Sequence, residues 1–229
     1  MQKANRGIIT ASFGDRDISG LIRSIHRYSS LPITVYTDVD HSGEIIYDNI
    51  DFRIVKTYWQ DHKRYGQRNG DYWQAAGALS CPYDEVLYLD DDMRIVSPDF
   101  IQGFELAKHF GLCLPLNPRC LVDIDGTMGA DVIGTPEIPF ATAYNCGTMF
   151  FNRSNSLAIR YLLKWQQIID DSPQRGPMAA FRAALQTGFS PYTLQYNWCV
   201  CSEHIDINKP IILHTGHKDV LEKYLCAHS

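Results

Sequence analysis

The sequence predicts an α/β fold with a mostly parallel central sheet flanked by helices. Three observations predict it. Short β-rich runs alternate with segments of helical periodicity through the first half of the chain, the pattern left by parallel strands and crossover helices. The run at residues 7–13 is apolar and β-prone and ends in small residues, as a buried first strand does. The run at residues 85–89 stops abruptly at three aspartates, and open α/β sheets place their ligands at such strand ends.

The elements follow in order. After the first strand, residues 17–28 carry Ile18, Leu21, Ile22 and Ile25 at helical spacing. Residues 33–37 read as a second strand ending at Asp38, and 52–55 as a third. A helix is expected at 71–79, before the strand at 85–89. Ser97 followed by Pro98 marks a helix start, with Ser as N-cap and Pro at the first position. Residues 117–144 hold Pro, Gly, Asp and Thr without periodicity and predict a long loop, the usual setting of a binding loop. Residues 148–151 read as a strand. A helix capped by Ser154 follows, with Ile159, Leu162, Leu163, Gln166 and Ile169 marking one face. A second helix covers 178–187, and a last short strand at 211–213 delivers His214 to its end. There are no repeats and no low-complexity segment.

A length of 229 residues fits one compact domain spanning 1–229, able to bury roughly 70% of its unfolded surface without staples. The apolar content of 45% and charged content of 21% are those of a soluble globular protein. With a net charge of −5 and no basic run, nucleic acid is not an expected partner. Seven cysteines in no regular framework, several in apolar runs, predict reduced and mostly buried thiols. Cys199-Val200-Cys201 and Cys226-Ala227-His228 lack the usual zinc spacing. No secretory leader is evident, and no stretch reaches the ~20 apolar residues of a membrane span, so a soluble cytoplasmic protein is expected.

The most informative segment is Tyr88-Leu89-Asp90-Asp91-Asp92-Met93. Adjacent carboxylates repel one another and avoid low dielectric, so a solvated turn is one reading. The apolar flanks and the strand-end position favour another: Asp90 and Asp92, two apart, can be aimed by a sharp turn at one hard cation.

Tyr88-Leu89-Asp90-Asp91-Asp92-Met93-Arg94-Ile95-Val96 resembles the Asp-x-Asp segment of GT-A glycosyltransferases, above all the family of glycogenin and the bacterial lipopolysaccharide galactosyltransferases. The resemblance implies a Rossmann-like GT-A fold, with a nucleotide-sugar-binding half at 1–97 and an acceptor-binding half at 98–229. It implies Mn²⁺ or Mg²⁺ as cofactor and a nucleotide-sugar donor, UDP-sugar being favoured, with a glycan acceptor. Asp90 and Asp92 are then metal ligands, and Asp90 and Asp91 face the donor's ribose and diphosphate.

Further segments match that family in order. Thr10-Ala11-Ser12 resembles its donor-nucleotide strand, and Tyr36-Thr37-Asp38 its second nucleotide contact. Asn145-Cys146-Gly147 before an apolar strand resembles its Asn-x-Gly segment facing donor sugar and acceptor, where an amide both donates and accepts. Leu194-Gln195-Tyr196-Asn197-Trp198 resembles a later Gln/Asn segment. In Leu213-His214-Thr215-Gly216-His217-Lys218, the resemblance makes His214 the third metal ligand and places Gly216 and Lys218 at the diphosphate. The spacing departs from the family's His-x-x-Gly-x-x-Lys-Pro-Trp, which leaves His217 as a rival to Lys218. Arg64 and Arg68 form the nearest local cationic group and suit a donor phosphate, as they suit a solvated face. Trp73, Tyr144 and Trp198 fit sugar stacking or core packing equally.

The chemistry implied is displacement at the anomeric carbon with loss of a nucleoside diphosphate. Asp92, Asn145 and Lys218 would act at the reacting centre, with retention of configuration as in the resembled family. An inverting enzyme would need a carboxylate base, for which Asp123, Asp125, Asp131 and Asp171 stand open. Three other readings remain. A sugar nucleotidyltransferase would want a richer Gly and Lys loop than Thr10-Ala11-Ser12-Phe13-Gly14-Asp15-Arg16. A phosphotransferase would want an Asp nucleophile on the first strand, and a non-catalytic sugar- or nucleotide-binding module would need no metal triad.

Overall fold

The computed structural model describes residues 5–14, 16–39, 47–58, 65–116, 144–171, 176–200, 209–216 and 218–227. The predicted loop at 117–144, apart from Tyr144, lies outside them.

β1 (Arg6–Ser12), β2 (Ile33–Thr37), β3 (Ile50–Ile54) and β4 (Glu85–Asp90) form one half of a seven-stranded sheet. β6 (Leu112–Pro115), β7 (Thr148–Asn152) and β8 (Tyr192–Leu194) complete it in the order β3-β2-β1-β4-β7-β6-β8. Pairings are parallel except those of β7, which runs against both β4 and β6. The predicted mostly parallel sheet is therefore what the chain builds. β1 is buried along nearly its whole length and has a core on each face. Ile8 joins the cluster under α1 (Ser19–Tyr28), whereas Ile9 joins the cluster under α2 (Tyr65–Ser80). Its near-continuous apolar run is the mark of a strand covered on both sides.

α3 (Gln102–Phe110) packs beside α1 on one face of the sheet, and α4 (Ser156–Asp171) and α5 (Gly176–Thr187) pack beside α2 on the other. A second, two-stranded sheet pairs β5 (Met93–Ile95) antiparallel with β9 (Ile212–His214). The last helix, α6 (Lys218–Ala227), packs Val220 against Val200 and Leu213.

Two expectations about helices are corrected. α2 begins six residues before the predicted start at 71, because its buried face is partly polar and hides the apolar period. Asn69, fully buried there, accepts from Tyr58 N at 2.8 Å and donates to Tyr58 O at 2.8 Å, so burying it leaves no polar group unmet. At α4 the cap is Asn155, which accepts from the amides of Leu157 and Ala158; Ser154 lies one residue too early. Of the face expected on α4, Leu162 and Ile169 are buried and Ile159 packs against the same cluster. Tyr161 and Trp165 are fully buried, while Leu163 is 53% exposed.

The helix start at Ser97 holds, since its hydroxyl accepts from Asp99 N and Pro98 opens a short 3-10 turn that leads into α3. Cys81, Cys113, Cys146 and Cys199 are buried. Burial pushes the Cys113 thiol up to about 12, so it behaves as an apolar core group. Cys120 and Cys201 lie outside the described residues. Among the described residues no helix is long and apolar enough to cross a membrane.

Candidate active site

The sheet's strand order reverses between β1 and β4: β2 and β3 lie on one side of β1 and β4 on the other. Crossover connections leave in opposite directions at such a point, and a crevice opens at the carboxyl ends of the two strands. In the register of this sheet Ala11 sits beside Asp90, so the end of β1 and the Asp segment face the same crevice.

Asp91 and Asp92 occupy the turn between β4 and β5, and the pairing of β5 with β9 does the rest. Met93 stands opposite His214, which carries the imidazole to Asp92 across 122 residues of sequence; Nε2 lies 3.2 Å from Asp92 Oδ2. The clasp is closed by Thr215, whose amide and hydroxyl both donate to the Asp92 carbonyl, at 2.8 and 2.7 Å.

The three carboxylates have different surroundings. Asp90 accepts at Oδ1 from Tyr88 Oη (2.7 Å) and Gln74 Nε2 (3.2 Å). Burial raises its pKa, the charge of Asp92 adds to this, and the Tyr88 hydrogen bond opposes both. Asp91 is 6% exposed and uses both oxygens, accepting from Ser12 Oγ at 3.0 Å and from Arg16 Nη1 at 2.5 Å. Burial pushes it up to about 6, with Arg16 pulling the other way. At Asp92 burial also acts upward, yet the His214 hydrogen bond and charge outweigh it and hold the carboxyl below its usual range. Its Oδ1 is buried without a hydrogen-bond partner among the described residues. A carboxylate oxygen left in that state is costly unless something else meets it.

Asp90, Asp91, Asp92 and His214 line a cavity of about 120 Å³, together with Ala11, Arg16 and the first turns of α2. Gln67, Asp71 and Gln74 of α2 face it, and sequence reading missed all three along with Arg16. Their signal was weak: polar residues at helical spacing before a strand look like a solvated helix face.

The other predicted residues are placed as follows. Thr10 is fully buried within β1 and is not on the cavity wall, unlike Ala11. Asp38 accepts from Gly14 N (2.9 Å) and from Tyr65 Oη (2.7 Å), tying the loop after β1 to the start of α2. Asn145 is nearly buried and accepts from Gly147 N at 3.0 Å, and Gly147 O in turn accepts from Asp90 N at 2.8 Å. Arg68 lies on α2 but is not among the cavity-lining residues. Lys218 supplies the first residue of α6, four positions after His214. Arg64, His217 and the candidate bases Asp123, Asp125 and Asp131 lie outside the described residues; Asp171 ends α4 and is exposed. Of the aromatic candidates, Trp73 stacks on Tyr36 at 4.9 Å, Trp198 meets Phe150 edge-on at 5.4 Å, and Tyr144 Oη lies 3.4 Å from Ser190 Oγ.

Two carboxylates and an imidazole are a donor set suited to Mn²⁺. Among the described residues, however, no group of three or more His, Cys, Asp or Glu is gathered about one point. The oxygens of Asp90 and Asp92 are partly turned to Tyr88, Gln74 and His214 instead. Two glycines fix how close these groups come. A Cβ on Gly147 would sit 2.7 Å from Asp90 Oδ2, and one on Gly216 would sit 2.3 Å from Asp92 Oδ2 and 3.4 Å from His214 Nε2. Gly216 is not in the left-handed region, so Gly216→Ala meets no backbone strain and acts by pushing the carboxylate aside. A displacement of about 1 Å can cost roughly 100-fold in rate. Gly216→Ala is therefore expected to lose about 10- to 100-fold in turnover with its thermal midpoint nearly unchanged, checked by kinetics and a melting curve.

No family profile and no curated protein matches the sequence. Solved structures do match in shape. Mouse xyloside xylosyltransferase 1 in its apo form superposes with a TM-score of 0.57 at 13% identity, covering 91% of this chain and 97% of that one. The galactosyltransferase LgtC, solved with donor and acceptor sugar analogues, gives 0.58 at 13% identity over 91% of this chain and 86% of that one. The glycosyltransferase GlyE of Streptococcus pneumoniae TIGR4 gives 0.56 at 17% identity over 91% of this chain, which spans about half (54%) of that protein. The fold is that of the GT-A glycosyltransferases.

Proposed function

We propose that the chain is a metal-dependent glycosyltransferase that moves a sugar from a nucleotide-diphosphate-sugar to a hydroxyl group of a glycan or similar acceptor. The observation that carries this reading is the meeting of Asp90, Asp92 and His214 on one cavity at the reversal of strand order. The shared fold of solved glycosyltransferases supports it. UDP-sugar is the favoured donor and retention the favoured outcome, both on the resemblance of the Asp segment.

Asp90, Asp92 and His214 would hold Mn²⁺ or Mg²⁺, and the partnerless Asp92 Oδ1 is the atom that such an ion satisfies best. The bound ion would supply charge neutralisation for the departing diphosphate. The chain's own residues do the remaining work. Ala11 offers a side chain small enough for the nucleotide to approach the end of β1. Tyr88 and Gln74 orient Asp90, and Asn145 holds the Gly147 turn against it. Lys218, at the start of α6, is positioned in sequence to assist the leaving group. Residues 1–97 then form the donor half and 98–229 the acceptor half.

The test is hydrolysis of a panel of nucleotide sugars by purified protein, with Mn²⁺ and with chelator. One donor should release its nucleoside diphosphate slowly, chelation should cut the rate about 100-fold or more, and added Mn²⁺ should restore it. Absence of both turnover and binding for every nucleotide sugar would sink the reading. Consumption of a nucleoside triphosphate with a sugar phosphate would instead assign a nucleotidyltransferase.

A further inference from the structure

We infer that Arg16 binds the diphosphate of the donor, reaching its phosphate oxygens from a seat on Asp91; this rests on the transferase reading above. Charge is the starting point. Asp71, Asp90, Asp91 and Asp92 all line the cavity, and Arg16 is the only Lys or Arg among the described residues that does. A diphosphate entering this wall of carboxylates needs cationic partners. Asp90 and Asp92 would hold an ion that supplies one positive charge, and Arg16, paired with Asp91, supplies another.

The geometry leaves Arg16 able to do so. A guanidinium carries five N–H donors in a planar fork. Arg16 engages Asp91 through Nη1, and its side chain remains 51% exposed. Asp91 is 6% exposed and its other oxygen is taken by Ser12, so it serves as a buried anchor that aims the guanidinium.

The loop carrying Arg16 is held as well. Arg16 N donates to Gly14 O at 2.9 Å, and Gly14 N donates to Asp38 Oδ1 at 2.9 Å. Gly14 itself adopts φ +75°, a left-handed turn that a side chain would resist. Preorganised in this way, the cation loses little freedom on meeting an anion. A surface pair would need none of this fastening.

Binding separates the roles. UDP, GDP and CDP are titrated with Mn²⁺ by calorimetry, and the tightest is compared with its own nucleoside. Arg16→Gln should weaken the diphosphate roughly 10- to 100-fold and leave the nucleoside unchanged, as losing a hydrogen bond to a charged group does. Arg16→Lys, which keeps the charge without the fork, should show an intermediate loss of about 3- to 10-fold. Unchanged diphosphate affinity in both variants, or in Arg16→Lys alone if Arg16→Gln does not fold, overturns the assignment. Parallel loss of nucleoside and diphosphate overturns it too, because Arg16 would then only shape the loop. If wild-type protein binds no nucleoside diphosphate with Mn²⁺, the transferase reading itself falls and this inference with it.

Discussion

Asp92→Asn should lower donor turnover about a thousandfold while the protein stays folded, with its melting temperature within a few degrees of wild type. The two halves of that expectation have separate causes. The fold keeps its clasp because Thr215 donates to the backbone carbonyl of residue 92, which the substitution does not touch. An amide of the same shape can still meet His214 Nε2. Removing the charge also relieves Asp90, whose pKa is raised by burial first and then by Asp92. Catalysis suffers because the lost oxygen charge is the one a cation would use, and removing a single group that stabilises developing charge costs roughly 10²–10³ in rate. The measurement is kcat/KM on the donor identified by the hydrolysis panel, alongside a melting curve. Activity within tenfold of wild type would remove Asp92 from the proposed ligand set.

Much of the fold could be read directly because its central strands announce themselves. β1, β2 and β4 are covered on both faces, so each is an apolar run with a sharp polar end. The end of β4 was the Asp segment, and the end of β9 was His214. What stayed hidden was hidden for physical reasons. β5 and β8 have three residues each and β6 four, too few to show a period. The first turns of α2 put Asn69, Asp71 and Gln74 inside, and an apolar template passes over buried polar groups that find partners. Arg16 meets Asp91 across 75 positions, a contact that sequence spacing does not encode. Gly216 shows the limit from the other side. The resemblance gives it a place at a diphosphate, and the structure adds a second role beside the Asp92 carboxylate, where its missing side chain lets His214 and Asp92 meet.

Trp165→Ala carries the largest expected effect on stability. Trp165 is fully buried on α4, meets Tyr161 edge-on at 6.1 Å and belongs to the cluster that α4 shares with α2 and α5. Emptying that volume should cost about 3–5 kcal/mol, since close-packed neighbours relax only partly into the void. For a chain of this size each kcal/mol is worth roughly 2–4 °C, so the melting temperature should fall by about 10 °C or more. Trp165→Phe separates volume from polarity. The indole Nε1 is buried with no hydrogen-bond partner among the described residues, so replacing the ring by Phe loses contacts but also removes an unmet donor. Its cost should be less than half that of Ala. The effect should stay on the fold: α4 packs behind α2, and α2 reaches Asp90 through the Gln74 amide. Well below its melting temperature, Trp165→Ala should therefore bind the donor within about threefold of wild type. A large loss of affinity in protein that is still folded would mean that α2 is held in its active position by α4, and that the wall of the cavity moves with the core behind it.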